Sequence, residues 1–288
     1  MYDRILLPTD GSEAAERALH VATRVANAHD ATLHVVYVAD SNQPSQTNLQ
    51  GEIRDVLVGR GEEIVADAAD VARASGVDVV TEVVQGGPSR SILAYVEERG
   101  ADLVVLGTRG QRDLSEVVLG SVTDHVLRDC PVPVLTVSPD ADDVEYPPGD
   151  VLVATDGSDG AAAAVDEAAS IARETGATLH VLAVDETGPL GLDLPSLSEG
   201  DRAELFDDRL DAARDAATRA GAGDLVTAVE SGTVRDAIAE YVADNDARLV
   251  ALGASGRSGI DRRLLGSTAE NVVRTSAVPV VTVPPGER

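Results

Sequence analysis

The sequence predicts two tandem α/β domains, each a five-stranded parallel sheet covered by helices on both faces. Three observations carry that prediction. The chain has 288 residues, against roughly 100–200 for an ordinary domain. Its first half is written again in the second. Asp10-Gly11-Ser12 returns as Asp156-Gly157-Ser158, and Ala31-Thr32-Leu33-His34-Val35 as Ala177-Thr178-Leu179-His180-Val181. Gly107, Gly110 and Gly120-Ser121 return as Gly253, Gly256 and Gly266-Ser267, each 146 positions later. One slip of a single residue interrupts the register, where Gly87 is matched with Gly232. Third, short β-branched runs alternate with amphipathic helical patterns, as right-handed βαβ crossovers require.

In the first half the strands are expected at Arg4–Leu7, Thr32–Val38, Asp78–Val84, Leu103–Leu106 and Val132–Val137. Leu103-Val104-Val105-Leu106 is apolar at every position, which suits a strand buried on both faces. The helices between them are expected at Glu13–Ala28, Glu52–Ser75, Ser89–Glu98 and Val122–Asp129. The second half copies the order with strands at Val151–Ala154, Thr178–Val184, Leu225–Val229, Leu249–Leu252 and Val278–Val283. Asp40–Gly51 and Asp185–Gly200 differ between the halves and hold many turn formers, so they read as surface loops, with a lid as the alternative. Ser138 to Gly149 is rich in Pro and Asp and has no apolar period. It marks a linker, 139–148, between a first domain at 1–138 and a second at 149–288.

Composition narrows the function classes. Hydrophobic residues make up 43% of the chain but aromatics only 2%, with no Trp, so the cores must be aliphatic. No apolar run approaches the ~20 residues of a membrane-spanning helix. The opening Met1-Tyr2-Asp3-Arg4-Ile5 lacks the charged and apolar regions of a leader, which leads to the expectation of a cytoplasmic protein. The single cysteine, Cys130, excludes an intrachain disulfide and a Cys-rich zinc site; beside Pro131 it reads as a small packed hydrophobe. All 23 basic residues are Arg, against 50 acidic ones, for a net charge of −27. Without lysine there is no Schiff-base chemistry and no lysine-bearing phosphate loop. Excess negative charge disfavours general nucleic-acid binding. Acids dispersed along a lysine-free, Ala/Val-rich chain are expected of a salt-accumulating cytoplasm, where a Debye length near ~3 Å at 1 M screens self-repulsion, with an acidic mesophilic protein as the alternative.

The most informative stretch is Leu106-Gly107-Thr108-Arg109-Gly110, followed after nine residues by Gly120-Ser121. Glycine directly after a strand allows a positive φ and lets bare main chain approach a ligand. Successive N–H groups in such a turn form an anion-binding concavity. Ser121 is expected as the N-cap of the next helix, whose free amides and positive dipole end favour phosphate. Ordinary turn and cap roles would explain one such motif. Two, in register after the same strand, favour a phosphate site. Asp10 and Asp156, at the carboxyl end of the first strand of each half, either begin the helix cap or accept hydrogen bonds from a ribose or base. The arginines of the motif loops, Arg109 and Arg112 in one half and Arg257, Arg262 and Arg263 in the other, could reach terminal phosphates or balance nearby acids.

These motifs resemble the universal stress protein family, in its ATP-binding subgroup. The signature G-x2-G-x9-G-[ST] is met by Gly107, Gly110, Gly120 and Ser121, and again by Gly253, Gly256, Gly266 and Ser267. Ile5-Leu6-Leu7-Pro8-Thr9-Asp10-Gly11-Ser12 and Cys130-Pro131-Val132-Pro133-Val134-Leu135 resemble the family's opening and closing strands. The resemblance, to a tandem member from a halophilic archaeon, implies Rossmann-like (adenine nucleotide alpha hydrolase-like) domains with sheet order 3-2-1-4-5. It implies ATP, ADP or AMP as ligand, with Mg2+ alongside a triphosphate. Asp10 and Asp156 would contact ribose or adenine, Val38 and Val184 would hold adenine through their main chain, and Val122 and Thr268 would add phosphate-binding amides. The two halves would pair through their fifth strands, with a homodimer of the tandem chain left open.

No catalytic set stands out. The five histidines, His20, His29, His34, His125 and His180, show no metal-ligand pairing; His34 and His180, at one repeat position inside a strand, read as satisfied structural residues. Asp113 and Asp261 are candidates for a base by sequence proximity alone. The leading expectation is a nucleotide-binding regulatory or sensor protein of the stress response. A slow ATPase or adenylyl-transfer enzyme on the same fold, and a nucleotide-free scaffold, remain the alternatives.

Overall fold

A computed structural model describes residues 1–40, 46–49, 52–110, 119–139, 141, 144–186, 199–255 and 265–286, with backbone alone for 46–49, 52–55, 199 and 202. The chain divides into two compact units, Tyr2–Ala141 and Asp142–Arg288, with Met1 counted in the second. The first unit runs β1 (Arg4–Pro8), α1 (Glu13–His29), β2 (Thr32–Asp40), β3 (Gln46–Leu49), β4 (Glu52–Asp55), α2 (Val56–Ala74), β5 (Val79–Gly86), α3 (Pro88–Arg99), β6 (Leu103–Gly107), α4 (Ser121–Asp129) and β7 (Val134–Val137). Its sheet has the order β5-β2-β1-β6-β7, every pair parallel. The second unit runs β8 (Asp150–Ala154), α5 (Asp159–Thr175), β9 (Thr178–Asp185), α6 (Glu199–Ala220), β10 (Leu225–Ser231), α7 (Val234–Asn245), β11 (Leu249–Gly253), α8 (Ser267–Thr275) and β12 (Val280–Val283). Its order, β10-β9-β8-β11-β12, is the same 3-2-1-4-5 pattern.

The local causes are visible in the helices. Ser12 caps α1, its hydroxyl accepting from the Ala15 amide at 3.3 Å, and Asp30 ends the helix at φ 53. Ala14, Ala18, Val21, Ala22 and Val25 form its buried stripe. Ser158 and Gly176 bound α5 in the same way. The sheet supplies the bulk: Ile5, Leu6, Leu7, Leu33 and Leu103 are buried, as are Leu152, Leu179 and Leu182. Each such side chain contributes roughly 1.5–3 kcal/mol through burial.

Several boundaries differ from expectation. Glu52–Asp55 is not the first turn of a helix but the second arm of an antiparallel hairpin with Gln46–Leu49; four residues are too few for periodicity to separate strand from helix. The expected loop Asp40–Gly51 therefore contains a strand, whereas most of Asp185–Gly200 lies outside the described residues. β7 and β12 begin at Val134 and Val280, just after Pro133 and Pro279. Proline has no N–H for the ladder, though both proline carbonyls still accept, from Val104 and Val250 at 3.0 Å. The register slip is also relocated. Gly86 and Gly232 each directly follow the edge-strand residues Gln85 and Ser231, so Gly232 matches Gly86, not Gly87, and the 146-residue offset holds there. The offset drops by one over α2 and α6, which end in the matching turns at Gly76 and Gly221, and the extra Gly223 restores it.

The repeated histidines are structural. His34 Nδ1 lies 3.1 Å from the Tyr95 hydroxyl and His180 Nδ1 3.0 Å from that of Tyr241. Burial, with the Arg99 and Arg4 guanidinium groups, holds His34 below the ordinary imidazole value. Burial pushes the Cys130 thiol up to about 11, as befits a packed side chain. Among the described residues no helix is long and apolar enough to cross a membrane.

Candidate functional site

Strands β1 and β6 are neighbours, but α1 carries the chain toward β2 and α4 carries it toward β7. Strand order reverses between them, which opens a crevice at their carboxyl ends. A cleft of about 590 Å3 occupies that place in the first half. Of the first-half residues singled out from the sequence, it is lined by Asp10, Val38, Gly107, Arg109, Gly110, Gly120, Ser121 and Val122.

Each wall has a physical cause. β1 ends at Pro8, and the Thr9 amide makes the last bond toward β2, donating to the Val36 carbonyl at 2.9 Å. Alternate residues of a strand in a parallel sheet point their main-chain groups to the same side. The N–H and C=O of Val38 therefore point to the side that β1 has vacated. Asp10 folds back on its own turn, one carboxylate oxygen accepting from the Ser12 amide at 3.0 Å. The other faces Gly110, where a Cβ would meet it at 2.8 Å.

The glycine motif works differently from its sequence expectation. Gly107 is not at positive φ. It is glycine because a Cβ there would strike the Ala14 main chain at 2.8 Å, so the end of β6 packs directly on α1. The positive φ belongs to Gly11, at 72°. Ser121 is not the N-cap of α4 either. Gly120 is, at φ −60 and ψ 139, and no side chain caps the helix, so Ser121 becomes its first residue. The Gly120 amide is spent closing the motif loop on the Thr108 carbonyl at 2.9 Å. That bond, with Thr123 Oγ1 donating to the Gly107 carbonyl at 2.9 Å, fixes the helix end beside β6. The amides of Ser121, Val122 and Thr123 are left without a partner among the described residues, at the positive end of a helix dipole and lining the cleft.

The comparisons with known proteins bear on the whole chain. A family model described as "Universal stress protein family" matches residues 1–138 and 149–284. The chain belongs to the universal stress protein family. A universal stress protein of Methanocaldococcus jannaschii is 33% identical over 140 residues, 48% of this chain and 82% of that protein. One of Mycolicibacterium smegmatis is 28% identical over 297 residues, covering 98% of this chain and 97% of its own. The crystal structure of a universal stress protein from Archaeoglobus fulgidus superposes with a TM-score of 0.76 at 26% identity, over 98% of both chains.

The second universal stress protein domain keeps the scaffold. Asp156 accepts from the Ser158 amide at 2.9 Å, and Gly266 caps α8 without a side-chain bond, its own amide on the Ala254 carbonyl at 2.8 Å. Ser267 and Thr268 open α8, and Val184 sits on β9 as Val38 does on β2. A Cβ on Gly253 would lie 2.5 Å from the Gly160 main chain, and one on Gly160 only 2.2 Å from the Ser255 carbonyl. Where the first half tolerates Ala14, the second needs glycine, because its turn presses closer to α5. Gly256 lies outside the described residues, as do Arg112, Asp113, Arg257, Asp261, Arg262 and Arg263.

Among the polar lining residues of the first cleft that sequence reasoning missed are Asp40, Arg60, Ser89, Thr123 and His125. His125 carried a usable signal, four residues and so one helical turn beyond Ser121. Arg60 carried none, since only the tertiary packing of α2 over β2 brings it to the cleft.

Proposed function

We propose that the protein binds adenine nucleotides at the carboxyl ends of its sheets and acts as a regulatory member of the stress response, nucleotide occupancy setting its partner affinity. The observation that carries this is the uncapped start of α4, whose three amides have no partner among the described residues and open on a cleft at the switch point. Its volume falls within the ~300–1,000 Å3 usual for small-molecule sites. The phosphates of ATP, ADP or AMP would lie on the Ser121, Val122 and Thr123 amides, which need no lysine to hold charge. Val38 offers main-chain groups to the edge of the base, and Asp10 a carboxylate to ribose hydroxyls. Asp156, Val184, Gly253, Gly256, Gly266, Ser267 and Thr268 would repeat these roles in the second half. Mg2+ would be held by phosphate oxygens and water.

Chromatography of the denatured, purified chain should release adenine nucleotide, and calorimetry should detect ATP binding. No nucleotide in the extract together with no heat of binding would overturn the proposal. Pairing of the halves through their fifth strands, and a homodimer of the tandem chain, come into it from the family resemblance alone; light scattering reads the dimer. A high-salt cytoplasm as the working environment belongs to it as well, supported by 50 acidic residues and no lysine. Circular dichroism should then show loss of structure in dilute buffer, and unchanged structure there would contradict it.

A further inference from the structure

Among the described residues, three basic side chains line the first cleft: Arg60 from α2, Arg109 from the motif turn and His125 from α4. At the matching positions the second half has Leu205, Ser255 and Asn271, all neutral. His125 is the one whose chemistry the geometry specifies. Its Nδ1 lies 2.7 Å from the Ser121 carbonyl oxygen, which can only accept, so Nδ1 carries the proton in the neutral ring. Nε2 is then a lone pair in the neutral ring and an N–H donor in the imidazolium. A lone pair offers nothing to a phosphate oxygen, whereas a cationic donor makes a charge-assisted bond. The ring stands one turn from the open amides of Ser121, Val122 and Thr123, on the same cleft.

We propose that His125 is a polyphosphate ligand of the first half that engages as the imidazolium, so that this half gains affinity for ATP on acidification and the second half, with Asn271, does not. The inference rests on the nucleotide-binding proposal above and adds to it which half responds and through which side chain. Other charges around the ring are accounted for. On α4 itself, Asp124 is paired with Arg128 at 2.8 Å, and Asp129 is exposed on the last turn. Packed against α4, α3 gives the cleft Pro88, Ser89 and Ile92 and no charged side chain; its Arg99 is held by Glu82 at 2.8 Å, and Arg90, Glu97 and Glu98 are exposed. Across the cleft stand Asp10 and Asp40 with Arg60 and Arg109.

The test is calorimetry of the full chain with ATP at about pH 7.5 and about pH 5.5, on either side of the usual imidazole range. Wild type is compared with His125→Asn, which installs the side chain that the second half already carries. Protonation of ATP itself is common to both proteins and cancels. Wild type should gain roughly three- to ten-fold more affinity than the variant on acidification, and adenosine, lacking phosphate, should show no such difference. An equal gain in His125→Asn, or the same difference with adenosine, would overturn the role of His125 while leaving nucleotide binding intact. Failure of wild type to bind ATP at either pH would overturn the nucleotide proposal, and this inference with it.

Discussion

The two halves fill the same space in opposite ways. In the first, Tyr37 on β2 lies against Gly61 on α2, where even a Cβ would come 2.4 Å from the ring. In the second, the strand position is Ala183 and the helix position is Phe206, both buried. The aromatic ring has moved from sheet to helix, and the small residue has moved the other way. The charges differ by position: Arg60, Arg109 and His125 give way to Leu205, Ser255 and Asn271, while Arg209 beside Gly157 stands where Ile64 lies beside Gly11. Packing has been conserved as a sum over neighbours, because a close-packed interior tolerates neither void nor overlap. The cleft has no equivalent constraint, so its chemistry has diverged while its frame has not.

The sharpest way to break this comparison is a double-mutant cycle in the first half. Tyr37→Ala should cost about 3–5 kcal/mol in urea unfolding, through the cavity it leaves. Gly61→Phe alone should also destabilise strongly, since its ring would enter the space Tyr37 already fills. Combined, the two changes copy the second half and should recover most of the loss. Simple addition of the two penalties would show that the exchange of volumes is not what links these positions.

How far the sequence could reach follows from the same contrast. The repeat, the parallel strands and the glycine motif were legible because strand burial and turn geometry act over a few residues. Asp10 was legible at the start of a helix cap for the same reason. The reason for Gly107 was not: the motif suggested a positive φ, and the actual cause is contact with Ala14, more than ninety residues away in the chain. Likewise Ser121 looked like a cap, but Gly120 takes that role because its extended backbone leads the chain into α4. Tyr37 and Gly61 belong to the same class, since each is explained only by the other.

A smaller effect separates the halves at the opposite end of the sheet. His34 is held low by burial and by Arg99 and Arg4. For a histidine lowered on folding, the unfolded chain takes the proton first. Its contribution to stability is therefore complete above the unfolded value, near pH 6.5, and is lost as pH falls through that value toward the lowered folded one. In the second half Asp150 replaces Arg4, and its carboxylate lies 3.4 Å from His180 Nε2. Hydrogen exchange followed downward from about pH 7 should show β1, β2 and β5 loosening before β8, β9 and β10. Arg4→Asp should narrow the gap. Equal loosening of both sheets would remove His34 as its source.

The proposed cradle of bare amides can be tested by removing one of them without disturbing the helix. Ser121 is the first residue of α4 and follows Gly120 at φ −60 and ψ 139, a geometry that accepts a proline next in the chain. Ser121→Pro should leave the melting temperature of the full chain unchanged and weaken ATP binding at the first half by about ten-fold, the loss of one charge-assisted hydrogen bond. Undiminished affinity in that folded variant would contradict the account.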